Sequence, residues 1–183
     1  MLNKDPISSR YADAFFQLVK ERAIVDDAAR DMEELGEVIS REPQLLQLLV
    51  NPDVEVEDKL GVLERLLQGG WSPSTRAFVH VALVFGRPEF LGQMADAFRE
   101  LVDQDRGIVR AQVRSARALT EPLREQLRSR LERRERRSVV LEEETDPALL
   151  GGIQVILDNR IFDASIRTKL SELRQKLKAV RVH

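Results

Sequence analysis

The sequence predicts a mainly α-helical chain: an N-terminal six-helix bundle over residues 1–105, then a small α+β domain over residues 106–183 with a short sheet and a hairpin. Three observations predict it. Apolar residues recur at helical spacing in six successive segments before residue 105, the period changes to alternation at Ile108, and the charge changes sign at the same place. Residues 1–105 hold 11 Lys and Arg against 20 Asp and Glu, a net charge of −9, whereas residues 106–183 hold 18 against 11, a net charge of +7. Such a dipolar chain points to two domains meeting different partners, because complementary charge orients association more than it adds affinity.

In chain order, Tyr11, Ala12, Phe15, Leu18, Val19 and Ala23 form the stripe of a first helix from Ser8 to Ala23, with Ser8 or Ser9 as its cap. Phe16 lies off the centre of that stripe and widens it. A second helix, Asp26 to Arg41, ends before Pro43, and a short third covers Gln44 to Val50. After Asn51-Pro52, a fourth helix runs from Val56 to Leu67 on Leu60, Leu63, Leu66 and Leu67, and Gly69-Gly70 stops it. Ser72 and Pro73 are a cap and a first helical residue for the fifth helix. This fifth helix is apolar nearly all round, from Ala77 to Phe85, which places it at the bundle centre. A sixth helix follows from Pro88 to Asp105.

The second half begins with a strand from Ile108 to Ala116, with Val109, Ala111 and Val113 toward one face. A helix from Thr120 carries Leu123, Leu127 and Leu131 on one stripe and many arginines elsewhere. Three β-rich runs follow, Val139 to Leu141, Ile153 to Leu157 and Arg160 to Phe162, with Asp158-Asn159 as the hairpin turn. Asp146-Pro147 is a turn that stops the first run, and Gly151-Gly152 allows a tight bend or close approach where a Cβ would clash. Asp163 or Ser165 caps a last helix, on which Ile166, Leu170, Leu173, Leu177 and Val180 form a seam. Its first half is expected to pack on the domain's own sheet.

Several function classes lack their chemistry. There is no cysteine, and the two histidines, His80 and His183, have no ligand spacing. Gly151-Gly152 precedes a strand and not a helix opening with Lys-Ser/Thr, so it is no phosphate loop, and Glu142-Glu143-Glu144 reads as a solvated strand end rather than an acid/base pair. We therefore expect no catalytic residue, cofactor or metal. The N-terminus has no charged segment followed by an apolar core, and no window approaches the ~18 apolar residues of a membrane span. The expectation is a soluble, bacterial protein. The alternative reading takes the Arg-rich helix as a nucleic-acid-binding module, against which stand its interleaved Glu121, Glu125, Glu132 and Glu135 and its lack of aromatics for base stacking.

The order Val-x-Leu-x-x-x-Thr-Asp-Pro-x-Leu-x-Gly-Gly-Ile-x-Val from Val139 to Val155, followed by Asp163-Ala164-Ser165-Ile166, resembles the C-terminal signature of the ATP synthase delta subunit family, which includes the mitochondrial oligomycin-sensitivity-conferring subunit. Arg10-Tyr11-Ala12, Asn51-Pro52 and Gly86-Arg87 extend the resemblance over nearly the whole chain. Ile156 stands where the family usually has a polar residue, and Asp158 where a glycine usually opens the turn. The resemblance implies a non-catalytic stator subunit, present once per ATP synthase and held on the cytoplasmic face of the bacterial inner membrane through the complex. Its helical domain would grip N-terminal helices of alpha subunits of the catalytic head between the first and fifth helices, at Tyr11, Ala14, Phe15, Phe78, Val81, Ala82 and Phe85. Its C-terminal domain would join the b subunits of the peripheral stalk, with Leu173, Leu177 and Val180 as candidate contacts.

Overall fold

The computed structural model describes residues 5–67, 70–157 and 160–170. The chain divides into two compact units, the first ending at Asp105 and the second beginning at Arg106. Among the described residues the first unit is built from α1 (Pro6–Glu21), α2 (Val25–Arg41), α3 (Pro43–Val50), α4 (Val56–Leu66), α5 (Pro73–Val84) and α6 (Leu91–Asp105), the last entered through a 3-10 turn at Pro88–Phe90.

Local chemistry explains the helix starts. Ser72 Oγ accepts the Thr75 amide at 3.2 Å and Pro73 is the first residue of α5, as the sequence predicts. At α1 the cap is Asp5 and not Ser8 or Ser9: its carboxylate accepts the Ile7 amide at 2.7 Å, and Pro6 fills the first helical position, where a missing amide costs nothing. Ser8 therefore lies inside the helix and is buried.

Packing departs from a six-rod bundle with α5 at its centre. The central helix is α6, which packs on both α1 and α2 through Leu91, Met94, Ala95, Phe98 and Val102. Phe98 is fully buried, with the Phe15 and Phe16 rings 5.1 and 6.0 Å away, so both of these α1 residues belong to the core. On the α2 side the helices come close, because a Cβ on Gly36 would stand 3.3 Å from that of Ala95. Helix α5 lies at the side of the unit instead. It buries Phe78, Val79, Ala82 and Leu83, while Val81, Val84 and Phe85 are 42%, 55% and 68% exposed. Hydropathy alone does not distinguish a helix buried all round from one that buries half its surface in the fold and leaves half apolar outside. Of the leucines expected on the stripe of the fourth helix, Leu60, Leu63 and Leu67 are buried and Leu66 is exposed.

The second unit contains β1 (Ile108–Ser115), α7 (Glu121–Glu135), β2 (Ser138–Thr145), a 3-10 turn (Pro147–Leu149), β3 (Ile153–Leu157) and β4 (Arg160–Asp163). The strands are ordered β2-β1-β3-β4, with β1 and β2 parallel and the other two pairs antiparallel. A parallel pair requires a crossover, and α7 is that crossover. Alternation sorts the faces: Val109, Ala111, Val113, Val139, Val155 and Leu157 form the core, closed by Leu119 and Leu131. Of the expected α7 stripe only Leu131 is fully buried, with Leu127 half-buried and Leu123 exposed, because a helix crossing a four-stranded sheet touches it over part of its length.

Strand β2 is longer than its apolar run. Glu142, Glu143 and Glu144 carry the ladder to the end of the strand, where Glu143 and Glu144 are exposed, the solvated strand end that the sequence predicts. Cross-strand charge explains the extension: Arg114 Nε bonds Glu144 at 2.9 Å, Arg110 bonds Glu142 at 3.3 Å, and Arg124 of α7 holds Glu143. The hairpin joins β3 to β4 as expected, with its Asp158-Asn159 turn outside the described residues.

Candidate functional site

Three surfaces bear on function. The first is an apolar strip on the helical unit, seamed by aromatic rings that link α1 to α5. Phe15 stacks on Phe78 with centroids 4.4 Å apart, and Tyr11 meets Phe78 edge-on at 6.5 Å. Beside this seam, Tyr11, Ala14 and Leu18 recur along α1 at helical spacing, and Ala77, Val81, Val84 and Phe85 along the α5 segment and its cap. Tyr11 is half-buried and the others are exposed. Of the residues singled out in the sequence, Ala14, Val81 and Phe85 are thus open to solvent, whereas Phe15, Phe78 and Ala82 lie beneath the surface. Leu18 and Val84 were missed. Their signal was present, since each falls one helical turn from a chosen residue on the same stripe.

The second surface is the signature turn. Asp146 accepts the Ala148 amide at 2.9 Å and gives its own amide to the Ser115 carbonyl at 2.8 Å, so Pro147 starts a 3-10 turn directly beneath the end of β1. Gly152 follows at φ 79°, and a Cβ there would stand 2.8 Å from Ser165 Cα and closer still to the Ala164 carbonyl oxygen. The Gly151 carbonyl accepts the Ile166 amide at 2.9 Å, and the Ile153 carbonyl accepts the Ala164 amide at 2.9 Å. The glycine pair is an internal joint: it lets the entry to β3 lie flat against the start of the last helix.

Ser165 caps that helix, its Oγ accepting the Thr168 amide at 3.2 Å. Asp163 sets the cap. Its carboxylate accepts the Ser165 amide at 2.8 Å and the Thr168 hydroxyl at 2.8 Å, and these bonds, the Ser165 amide first, hold it below the usual aspartate range. A depressed carboxylate stabilises the fold above its unfolded pKa, and the effect fades as pH falls through the folded value. Thermal unfolding should therefore show wild type losing its advantage over Asp163→Asn below about pH 4. An advantage unchanged down to about pH 2 would show that the charge is not what matters.

The expected seam of this helix begins exposed, with Ile166 at 47% and Leu170 at 54%, so its first half does not pack down on the sheet as predicted. The Ile166 side chain lies over Gly151, where a Cβ would stand 2.6 Å from its Cδ1. Leu173, Leu177 and Val180 lie outside the described residues.

The third surface is α7. Arg124 bonds Glu121 and Glu143, and Arg128 bonds Glu125 at 2.8 Å, so these two guanidinium groups are committed within the fold. Arg134 lies over the Phe162 ring at 4.2 Å, which takes that ring away from base stacking. Among the described residues no three His, Cys, Asp or Glu side chains are grouped to hold a metal ion, and no helix is long and apolar enough to cross a membrane.

The family model described as ATP synthase delta (OSCP) subunit matches residues 7–177. The chain belongs to that family. An ATP synthase subunit delta of Myxococcus xanthus is 33% identical across 94% of this chain and 96% of the relative. One from Anaeromyxobacter sp. is 34% identical across 94% and 97%. A chain in the cryo-EM structure of the Toxoplasma gondii mitochondrial ATP synthase hexamer superposes with a TM-score of 0.74 at 18% identity, covering 94% of this chain and 98% of that one. The delta (OSCP) fold is therefore shared across nearly the full length. The nucleic-acid reading of α7 finds no support among these relatives.

Proposed function

We propose that the chain is the non-catalytic peripheral-stalk subunit of a proton-translocating rotary ATP synthase, linking the catalytic head to the b-subunit stalk so that proton flow is coupled to ATP synthesis. The helical unit grips an N-terminal helix of the alpha subunits. The α+β unit joins the b subunits, with Leu173, Leu177 and Val180 as candidate contacts, and the complex holds one copy at the cytoplasmic face of the bacterial inner membrane. A stator resists torque by being fastened at both ends, and it needs affinity and rigidity rather than an active site.

The observation that carries this reading is the exposed apolar strip beside the Phe15–Phe78 seam. An amphipathic helix laid along Ala14, Leu18, Val81 and Phe85 would cover the apolar surface that the fold leaves open. Three or four such anchors at ~1.5–3 kcal/mol each supply most of the ~8–12 kcal/mol of a micromolar to nanomolar grip once ordering costs are subtracted. The net charge of −9 on residues 1–105 suits a peptide with a basic outer side.

The test is a titration of an alpha-subunit N-terminal peptide into the full chain, read by amide shifts. Shifts should centre on α1 and α5, and affinity should survive roughly 0.5 M salt within about tenfold, because apolar burial outranks screened charge. Shifts confined to α2, α3 and α4 would place the grip elsewhere.

A further inference from the structure

Helix α7 separates its charges by side. At about 100° per residue, Glu121, Glu125 and Glu132 share one flank, and this flank leans toward β2: Glu132 accepts the Val139 amide at 3.4 Å and Arg124 bonds Glu143. Arg124 and Arg128 spend their charge there. The other flank leans toward β4, where Arg134 covers Phe162. Along it run Leu123, Gln126, Arg130, Arg133 and Arg134, all exposed, with successive steps of three, four, three and one residues. Among the described residues no carboxylate is within ion-pair reach of Arg130 or Arg133, and Arg133 Nε reaches only the Ser129 carbonyl at 3.2 Å. The nearest acid to Arg134 is Glu135 at 3.6 Å. The alternation of β4 puts Arg160 on the same sheet face as Phe162, which adds a further exposed cation across the valley from α7.

We propose that this flank of α7 is a docking surface for an acidic amphipathic helix of a protein partner, with carboxylates on the guanidinium row and an apolar side chain against Leu123. The inference rests on the reading of the second unit as the stalk-facing one, and gives its partner surface a chemistry. Charge complementarity selects the occupant. Guanidinium groups at helical spacing pair best with carboxylates at the same spacing, since each fork can meet a carboxylate edge with two hydrogen bonds. The exposed Leu123 on the same line, and the ring of Phe162 already covered, favour a protein helix over a nucleic acid, which needs open aromatic faces or an unbroken cationic track.

The experiment compares the full wild-type chain with Arg130→Glu/Arg133→Glu and with Arg130→Lys/Arg133→Lys. Two protein probes are used: the soluble part of the b subunits, and a synthetic helical peptide with Glu at i, i+3, i+7 and i+10 and one Leu. The double Glu variant should bind both at least about tenfold more weakly, and the double Lys variant should keep part of the affinity. Equal binding of the peptide by wild type and the Glu variant overturns the proposal whatever the b subunits do. Peptide binding that follows the prediction, with no binding of the b subunits, removes the stalk reading and leaves the acidic-helix surface standing. Duplex DNA bound as tightly as the peptide, with the same loss in the Glu variant, would mark a general polyanion surface and overturn the protein-helix assignment. If the double Glu variant does not fold by circular dichroism, Gln126→Glu, an exposed change on the same line, decides in its place: unchanged peptide affinity counts against the proposal.

Discussion

Changing Val81 and Phe85 together to aspartate is expected to weaken binding of the alpha-subunit N-terminal helix by more than about a hundredfold while leaving the helical unit folded. Both side chains are open to solvent, at 42% and 68%, so the isolated chain loses little core by the change. In the complex the same positions would be covered. Each apolar anchor removed forfeits roughly 1.5–3 kcal/mol, and each carboxylate would then have to be buried against an apolar helix without a partner. Phe78 is the contrasting control. It is 9% exposed and stacks on Phe15, so Phe78→Ala should lower thermal stability, by about 3–5 kcal/mol, as truncation of a core aromatic does. Calorimetry of peptide binding and circular dichroism of the free chain separate the two effects. Unchanged affinity in the Val81→Asp/Phe85→Asp variant would move the grip away from α5.

The second large effect is expected at Gly152. Replacement by alanine should destabilise the α+β unit by several kcal/mol, from two additive causes. The residue sits at φ 79°, where side chains other than glycine are strained, and its Cβ would stand 2.8 Å from Ser165 Cα. The obstacle is backbone, which cannot rotate out of the way as a flexible side chain can. Gly107, at φ 64° in the same unit with open space around it, is the fair comparison, since alanine there meets the backbone cost alone. Hydrogen exchange across β3 and the cap at Ser165 should speed up markedly in Gly152→Ala and much less in Gly107→Ala. Equal effects at the two glycines would show that close approach contributes nothing.

Much of this architecture was legible because periodicity is a direct record of which face is buried. The alternation of Val109, Ala111 and Val113 marked β1, and Ser72-Pro73 marked the start of α5. The signature turn carried the family. The failures share a cause: they concern what lies opposite a residue, which local pattern does not encode. The apolar surface of α5 looked the same whether its second half met another helix or the solvent. The arginine partners of Glu142, Glu143 and Glu144, which are Arg110, Arg124 and Arg114, were not legible because only the sheet and its crossover bring them there. Asp5 was passed over as a cap because two serines close by fitted the same rule, and only the preference of proline for the first helical position separates them. At the candidate site, the stripe rule applied one turn further along would have added Leu18 and Val84.

The packing of α1 on α6 joins the first helix of its unit to the last, and Lys20 pairs with Asp105, the final residue of α6. On a ribosome adding ~5–20 residues per second, α1 emerges seconds before the helix that must cover Phe15, Phe16 and Val19. Until then α1 shows its inner and outer apolar rows alike, and nothing distinguishes the two. Arrival of α6 hides the inner row and leaves Ala14 and Leu18 outside. On the reading proposed above, the docking strip acquires its identity only when the unit closes, and recruitment to the enzyme would follow completion of the nascent helical unit.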